Sequence, residues 1–351
     1  MRSDMMKEKL ESLLIEAFEM GASDIHLTVG VPPVIRINGE LAHHGEAVLK
    51  PADTEGMARA ILSEHLWKVF QKRGELDFSH GIPKVSRFRI NSYFQRSCVC
   101  LAIRVVPTKI PTLDDLSMPE VLKEIAQKPQ GLVLVTGPTG SGKSTTLASM
   151  INEINEHTNK HIITLEDPIE YLHKHKRSII NQREVGFDTQ NFANGLRGCL
   201  RQDPDIILVG EMRDLETISI AITAAETGHL VLGTLHTTDA PATIDRVIDV
   251  FPPEQQPQVR IQLASVLGAV ISQRLFKTAD GKGRRAATEI LVNNAAVKNL
   301  IRNEKIHQIP SVMQTSRASG MHTLEMSIKE LVDSGAVDFE TVSAYVSESG
   351  M

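Results

Sequence analysis

The spacing of apolar positions changes about a third of the way along this chain. From Asp4 onward, Leu10, Leu13, Leu14, Ala17 and Phe18 recur at three- and four-residue intervals, the stripe of an amphipathic helix. Gly21 stands where such a helix would close in a left-handed residue. Short alternating runs follow over residues 24–28 and 33–39, the second ending in Asn38-Gly39, a strong hairpin signal. A helical pattern covers roughly 54–72, and two more strand patterns cover 86–94 and 98–106. Together these predict a small α+β domain over residues 1–107.

Pro107 and Pro111 then fall four apart, which discourages both a helix and a central strand, so 108–115 is expected to be a linker. Beyond it the apolar runs become short and continuous: 131–136, 161–165, 205–210 and 230–234, separated by helical patterns. That texture predicts a parallel sheet covered on both faces. From Glu254 onward the pattern reads as helical apart from one strand over 286–292. Residues 116–351 therefore form the expected α/β domain. A length of 351 residues fits two domains.

Composition narrows the class. Hydrophobic residues at 41% and charged residues at 23% suit a soluble globular protein. Aromatics at 4% and a net charge of −5 give neither base-stacking platforms nor a basic footprint, so no nucleic-acid partner is expected. No apolar run approaches the roughly 18–20 residues that cross a bilayer. No signal-peptide stretch follows residues 1–8, so the expected location is the cytoplasm. Cys98, Cys100 and Cys199 form no paired motif; zinc is not expected, and they read as small buried hydrophobes in a reducing compartment.

The strongest chemical signal is Gly137-Pro138-Thr139-Gly140-Ser141-Gly142-Lys143-Ser144, a match to GxxxxGK[ST] at every fixed position. Its glycines let the backbone turn N–H groups inward on phosphates. Lys143 sets a cation on the β- and γ-phosphates, and Ser144 offers a hydroxyl to Mg²⁺. An apolar strand precedes the loop, and a helical run starting at Thr145 follows it, so its anion-favouring N-terminus faces the same phosphates. This predicts binding of ATP.

In an open parallel sheet, ligand chemistry gathers at the carboxyl ends of the strands. Glu166-Asp167-Pro168 follows one apolar run, Glu211 another and His236 a third. Glu211 is the candidate for polarising an attacking water, and His236 for sensing the γ-phosphate. The residue before Glu211, often an Asp that helps hold Mg²⁺, is Gly210 here. Magnesium then rests on Ser144, the phosphates, water and Glu166 or Glu211. His229 lies at the other end of the His236 strand, about 20 Å away at ~3.3 Å per residue, and reads as an interface candidate.

With these residues assembled, the chain resembles the secretion-superfamily ATPases, and among them the type IV pilus retraction ATPases, over nearly its whole length. Residues 21–28 resemble the start of that family's N-terminal domain, 163–170 its Asp box, 196–214 its Walker B region and 228–237 its His box. The resemblance implies a PAS-like N-terminal domain, a RecA-like ATPase domain and a homohexameric ring. It also implies arginines that reach the nucleotide, here Arg89 and Arg104, whose guanidinium groups suit charge developing on a transferred phosphoryl group. Arg197 and Arg201 are candidates for a nucleotide or subunit interface, a solvated helix face being the other reading, and Arg213 is a secondary candidate.

Within the superfamily, extension ATPases carry a four-cysteine zinc insertion that three scattered cysteines cannot supply. Residues 296–303 resemble the AIRNLIRE motif linked with retraction, with Lys298 and Asn303 replacing Arg and Glu. The implied function is a hexameric, Mg²⁺-dependent ATPase that pulls on a pilus platform protein at the cytoplasmic face of the inner membrane, touching the membrane only through partners. An accessory retraction paralogue, an assembly ATPase and a non-hydrolysing nucleotide-gated scaffold are the alternatives.

Overall fold

The computed structural model describes residues 2–346. The chain falls into two compact units, Met1–Lys109 and Ile110–Met351. The second unit thus begins inside the stretch expected to be a linker, and Leu113 is buried in its core.

In the first unit, helix α1 (Arg2–Glu19) buries Leu10, Leu13, Leu14 and Ala17, and the chain leaves it through Gly21 at φ 73°. Strands β1 (Asp24–Leu27), β2 (Val34–Ile37) and β3 (Glu40–His43) follow. Asn38 and Gly39, at φ 50° and 90°, turn β2 into β3; both central residues of a tight hairpin need positive φ. The single helix expected over 54–72 is two, α2 (Pro51–Ile61) and α3 (Glu64–Arg73). Ser63 causes the break: it leaves helical geometry and its hydroxyl accepts the Leu66 N–H at 3.3 Å, starting a new helix.

Strand β4 (Glu75–Ile82), not expected, pairs with β5 (Ser86–Gln95), which pairs with β6 (Cys98–Val105). All pairings in this six-stranded sheet, ordered β3-β2-β1-β6-β5-β4, are antiparallel. Cys100 and Cys199 are buried as expected of small hydrophobes, whereas Cys98 is half-exposed.

The second unit opens with α4 (Val121–Ala126), β7 (Gly131–Thr136), α5 (Lys143–His157), β8 (His161–Glu166) and β9 (Ile179–Glu184). It continues with α6 (Phe192–Cys199), β10 (Ile206–Val209), α7 (Leu215–Glu226), β11 (Leu230–Leu235) and α8 (Ala240–Asp249). Helix α9 (Gln256–Val266) is followed by strand β12 (Leu267–Lys277), which corrects the expectation of an all-helical region there, and by β13 (Arg284–Val292). Helices α10 (Ala295–Arg302), α11 (Ile309–Thr315), α12 (Leu324–Asp333) and α13 (Phe339–Val342) complete it.

The seven-stranded sheet runs β13-β12-β7-β11-β10-β8-β9, parallel except for the edge strand β13. Leu132 and Leu134 of β7 face one core cluster, and Val133 and Val135 face another. Alternate residues thus bury both faces, as a sheet covered by helices on each side requires.

Candidate active site

Because β7, β11, β10 and β8 are consecutive neighbours, their carboxyl ends set Gly137, His236, Glu211 and Glu166 along one edge at strand spacings of about 4.8 Å. These residues are far apart in sequence, and the parallel register brings them together.

The loop after β7 has Gly137, Gly140 and Gly142 at φ 144°, 79° and 89°, a left-handed series that side chains resist. Lys143 starts α5 and is buried; its Nζ donates to the carbonyls of Gly137 at 2.8 Å and Pro138 at 3.0 Å. Burial lowers its pKa from the usual lysine value, against the opposing charge of Glu211. Ser144, on the first turn of α5, lines a cleft with Glu166, Asp167, Glu170, Gly210, Glu211 and Thr234. Thr145 lies beside it, its hydroxyl 3.0 Å from that of Tyr171.

Glu211 is shared: Oε1 lies 2.8 Å from His236 Nε2 and pairs with Arg213. His236 Nδ1 lies 3.5 Å from Lys143 Nζ. Lys143, His236, Glu211 and Arg213 therefore form one polar chain across the strand ends. Arg213, a secondary candidate from sequence, is the residue whose position is most sharpened, since it touches Glu211 directly.

Glu166 accepts from Thr164 Oγ1 at 2.6 Å and from Gln182 Nε2 at 3.0 Å. Burial raises its pKa above the usual glutamate value despite these donors. The missing acid at position 210 has a steric reason. A Cβ there would lie 3.0 Å from the Leu165 carbonyl oxygen and 3.3 Å from Glu166 Cα, while the Gly210 N–H is bonded to that same carbonyl at 2.7 Å. Strand β8 occupies the space, and Glu166 supplies a carboxylate beside it.

The remaining candidates lie elsewhere. His229, at the far end of β11, is bound to the Ala224 carbonyl at 3.0 Å. Arg197 on α6 pairs with Glu216 and with Asn194 Oδ1 at 3.1 Å, and Arg201, past the end of α6, is exposed. Neither arginine lines the cleft. Arg89 and Arg104, in the first unit, are directly paired across β5 and β6. Like charges in register destabilise a sheet. Asp24, in register with Arg104 on β1, accepts from its Nε at 2.9 Å. Burial acts to raise the Asp24 carboxyl, but the bonds from Arg104 and Ser23 prevail and hold it below its usual value. Helix α10, the AIRNLIRE-like segment, is capped by Asn294, which accepts the Val297 N–H at 2.9 Å.

Tyr171, Gln182 and Gln273 went unrecognised in the sequence. Tyr171 and Gln182 sit in and after the connection following β8, where no periodic pattern points to them. Gln273 belongs to the unexpected β12, and a polar Ser272-Gln273 pair inside an apolar run was its signal.

Among the described residues no group of three or more His, Cys, Asp or Glu is arranged to hold a metal. The hard oxygen donors lining the cleft nonetheless suit Mg²⁺ shared with phosphates.

The family model described as "Type II/IV secretion system protein" matches residues 2–344. The Pseudomonas aeruginosa protein named "Type IV pilus retractation ATPase PilT" is 49% identical over 331 residues, covering 94% of this chain and 96% of that one. The Neisseria gonorrhoeae "Twitching motility protein" is 50% identical over 305 residues, 87% of this chain and 82% of that one. A crystal structure of the pilus retraction motor PilT with bound ADP matches with a TM-score of 0.87 at 47% identity, covering 97% of each chain. The second unit is RecA-like, and the chain belongs to the type II/IV secretion system protein family.

Proposed function

We infer that this chain is an ATPase whose hydrolysis cycle drives retraction of type IV pili and so twitching motility. The observation that carries this reading is the polar chain Lys143–His236–Glu211–Arg213 closing over the phosphate loop at one sheet edge. A loop that only gates binding needs Lys143 and Ser144; hydrolysis also needs a carboxylate positioned for water, which Glu211 supplies. His236, beside both Glu211 and Lys143, is placed to register whether a γ-phosphate occupies the loop. In this reading residues 137–145 hold the nucleotide. Ser144, with Glu211 or Glu166 through water, holds Mg²⁺, which neutralises phosphate charge when bound. Thr145 and Tyr171 shape the floor beside it.

Domain assignment follows: a PAS-like unit carrying Arg89 and Arg104, then the ATPase unit. The working form is a homohexamer acting on a platform protein at the cytoplasmic face of the inner membrane. Attachment through a partner is consistent with there being, among the described residues, no helix long and apolar enough to cross a membrane.

The test is steady-state phosphate release. Purified Glu211→Ala is expected to bind ATP like the parent and to lose turnover by about 10²–10⁴-fold, the usual worth of a positioned base. Normal turnover would remove Glu211 from this role. In cells, deleting the gene is expected to leave long surface pili that do not retract; absence of pili would indicate an assembly motor instead.

A further inference from the structure

We propose that Gln273 is a positioning residue for nucleotide binding, which aims the Gly142 N–H into the phosphate loop by holding the carbonyl of Ser141. The inference rests on reading residues 137–144 as that loop. Strand β12 lies beside β7 on the side away from β11, with Ser272 in register with Thr136 and their hydroxyls 2.7 Å apart. One residue further, Gln273 meets the loop itself. Its carbonyl oxygen would lie 2.4 Å from a Cβ at Gly137, so only glycine lets the loop start this close to β12.

The Gln273 side chain is 2% exposed and cannot reach a ligand in solvent. Its Nε2 donates to the Ser141 carbonyl at 2.6 Å, and its Oε1 accepts from Thr146 Oγ1 on α5 at 2.9 Å. Both ends of the amide are used, and a flipped amide would set oxygen against the Ser141 oxygen, so one orientation is selected. In a trans peptide the C=O and the following N–H point in opposite directions within one plane. Holding Ser141 C=O toward β12 therefore turns Gly142 N–H away from it, to the concave side where phosphates bind. Nε2 would also lie 3.0 Å from a Cβ at Gly142, so the same amide crowds any side chain there, at a φ of 89° that already favours glycine. One buried amide thus ties loop, helix α5 and strand β12 together and fixes a donor that Lys143 cannot replace.

A backbone donor that meets the nucleotide in ground and transition states alike affects binding more than turnover. With the full-length protein and a fluorescent ADP analogue, Gln273→Met is expected to bind about ten- to a hundredfold more weakly, the usual effect of stranding buried polar groups. KM for ATP should rise by a similar factor, with a smaller change in kcat. Gln273→Glu adds a readout that packing alone does not move. Its ionised form sets an oxygen against the Ser141 carbonyl, whereas its protonated form donates an O–H there. Its binding deficit should therefore shrink as pH falls from 8 to 6, while the parent and Gln273→Met run parallel. If Gln273→Met does not fold, the pH dependence of Gln273→Glu decides. Parental ADP affinity in Gln273→Met, or a Gln273→Glu deficit that is absent at pH 8 or constant with pH, overturns the proposal. Lys143→Ala separates the two readings: if it too binds ADP normally, the phosphate-loop reading fails; if it alone loses ADP, only the role of Gln273 fails.

Discussion

Glu211 and Gly210 show how neighbouring strands divide the work at residue scale. The carboxylate of Glu211 has two cationic or proton-donating partners, His236 and Arg213, while Gly210 yields its space to the backbone of β8. The Leu165 carbonyl is held by its bond from Gly210 N–H, so it resists retreat from an added methyl group. Gly210→Ala is therefore expected to cost about 1–3 kcal/mol through overpacking, visible as a lower melting temperature of the ATPase unit. An unchanged melting temperature would mean that β8 and β10 can slide apart. The glycine was legible in sequence as a departure from the common acidic pair. Its cause was not, since the obstacle is a carbonyl 45 residues away that only the sheet order brings near.

At the scale of elements, the strands that continuous apolar runs predicted are the central ones, β7, β8, β10 and β11, and with them came the site edge. The missed strands have identifiable reasons. Helix α9 ends at Val266 and β12 starts at Leu267 with no turn between them, so apart from the single Gly268 nothing marks the change of period. Strand β9 is an edge strand of sequence Ile-Ile-Asn-Gln-Arg-Glu, too polar to read as core. Consequently Gln273 and Gln182, both carried by missed strands, were invisible as site residues.

The connection from β8 to β9 also holds His173, whose N–H donates to Gln182 Oε1 at 2.8 Å. Burial lowers the His173 pKa from 6.5 to about 4, with the nearby Lys176 charge acting in the same direction. The unfolded chain therefore binds a proton that the folded one refuses between those values. The stability of this unit is full above about pH 6.5 and declines as pH falls toward 4, by up to about 3 kcal/mol from this residue. His322, also lowered by burial, adds to the same slope. Urea titrations from pH 7.5 to 4.5 should show a shallower pH dependence in His173→Gln than in the parent. Equal slopes would mean that His173 becomes solvated before it charges.

At the scale of the whole molecule, the two units hold different parts of one proposed reaction. The phosphate loop, Glu211 and His236 are all in the second unit, while Arg89 and Arg104 are in the first. Sequence pattern alone gave no reason to single these two arginines out; resemblance did, and the structure adds a physical one. A cross-strand arginine pair costs stability unless it is offset, and Asp24 on the neighbouring strand is the carboxylate that holds Arg104. Arg104 keeps its side chain 64% exposed, so the ion pair with Asp24 is weak enough to exchange for a stronger anion. If its anion is the transferring phosphoryl group, Arg104→Ala should bind ADP like the parent yet lose about 10³-fold or more in kcat, the effect expected of an arginine that meets charge only in the transition state. Arg104→Lys should recover little of this, because an ammonium cannot reproduce the bidentate fork. ADP affinity and single-turnover hydrolysis, measured side by side on the full chain, test it. A fall in ADP affinity matching the fall in kcat would place Arg104 in ground-state binding, and unchanged kcat would leave the pair a surface feature of the first unit.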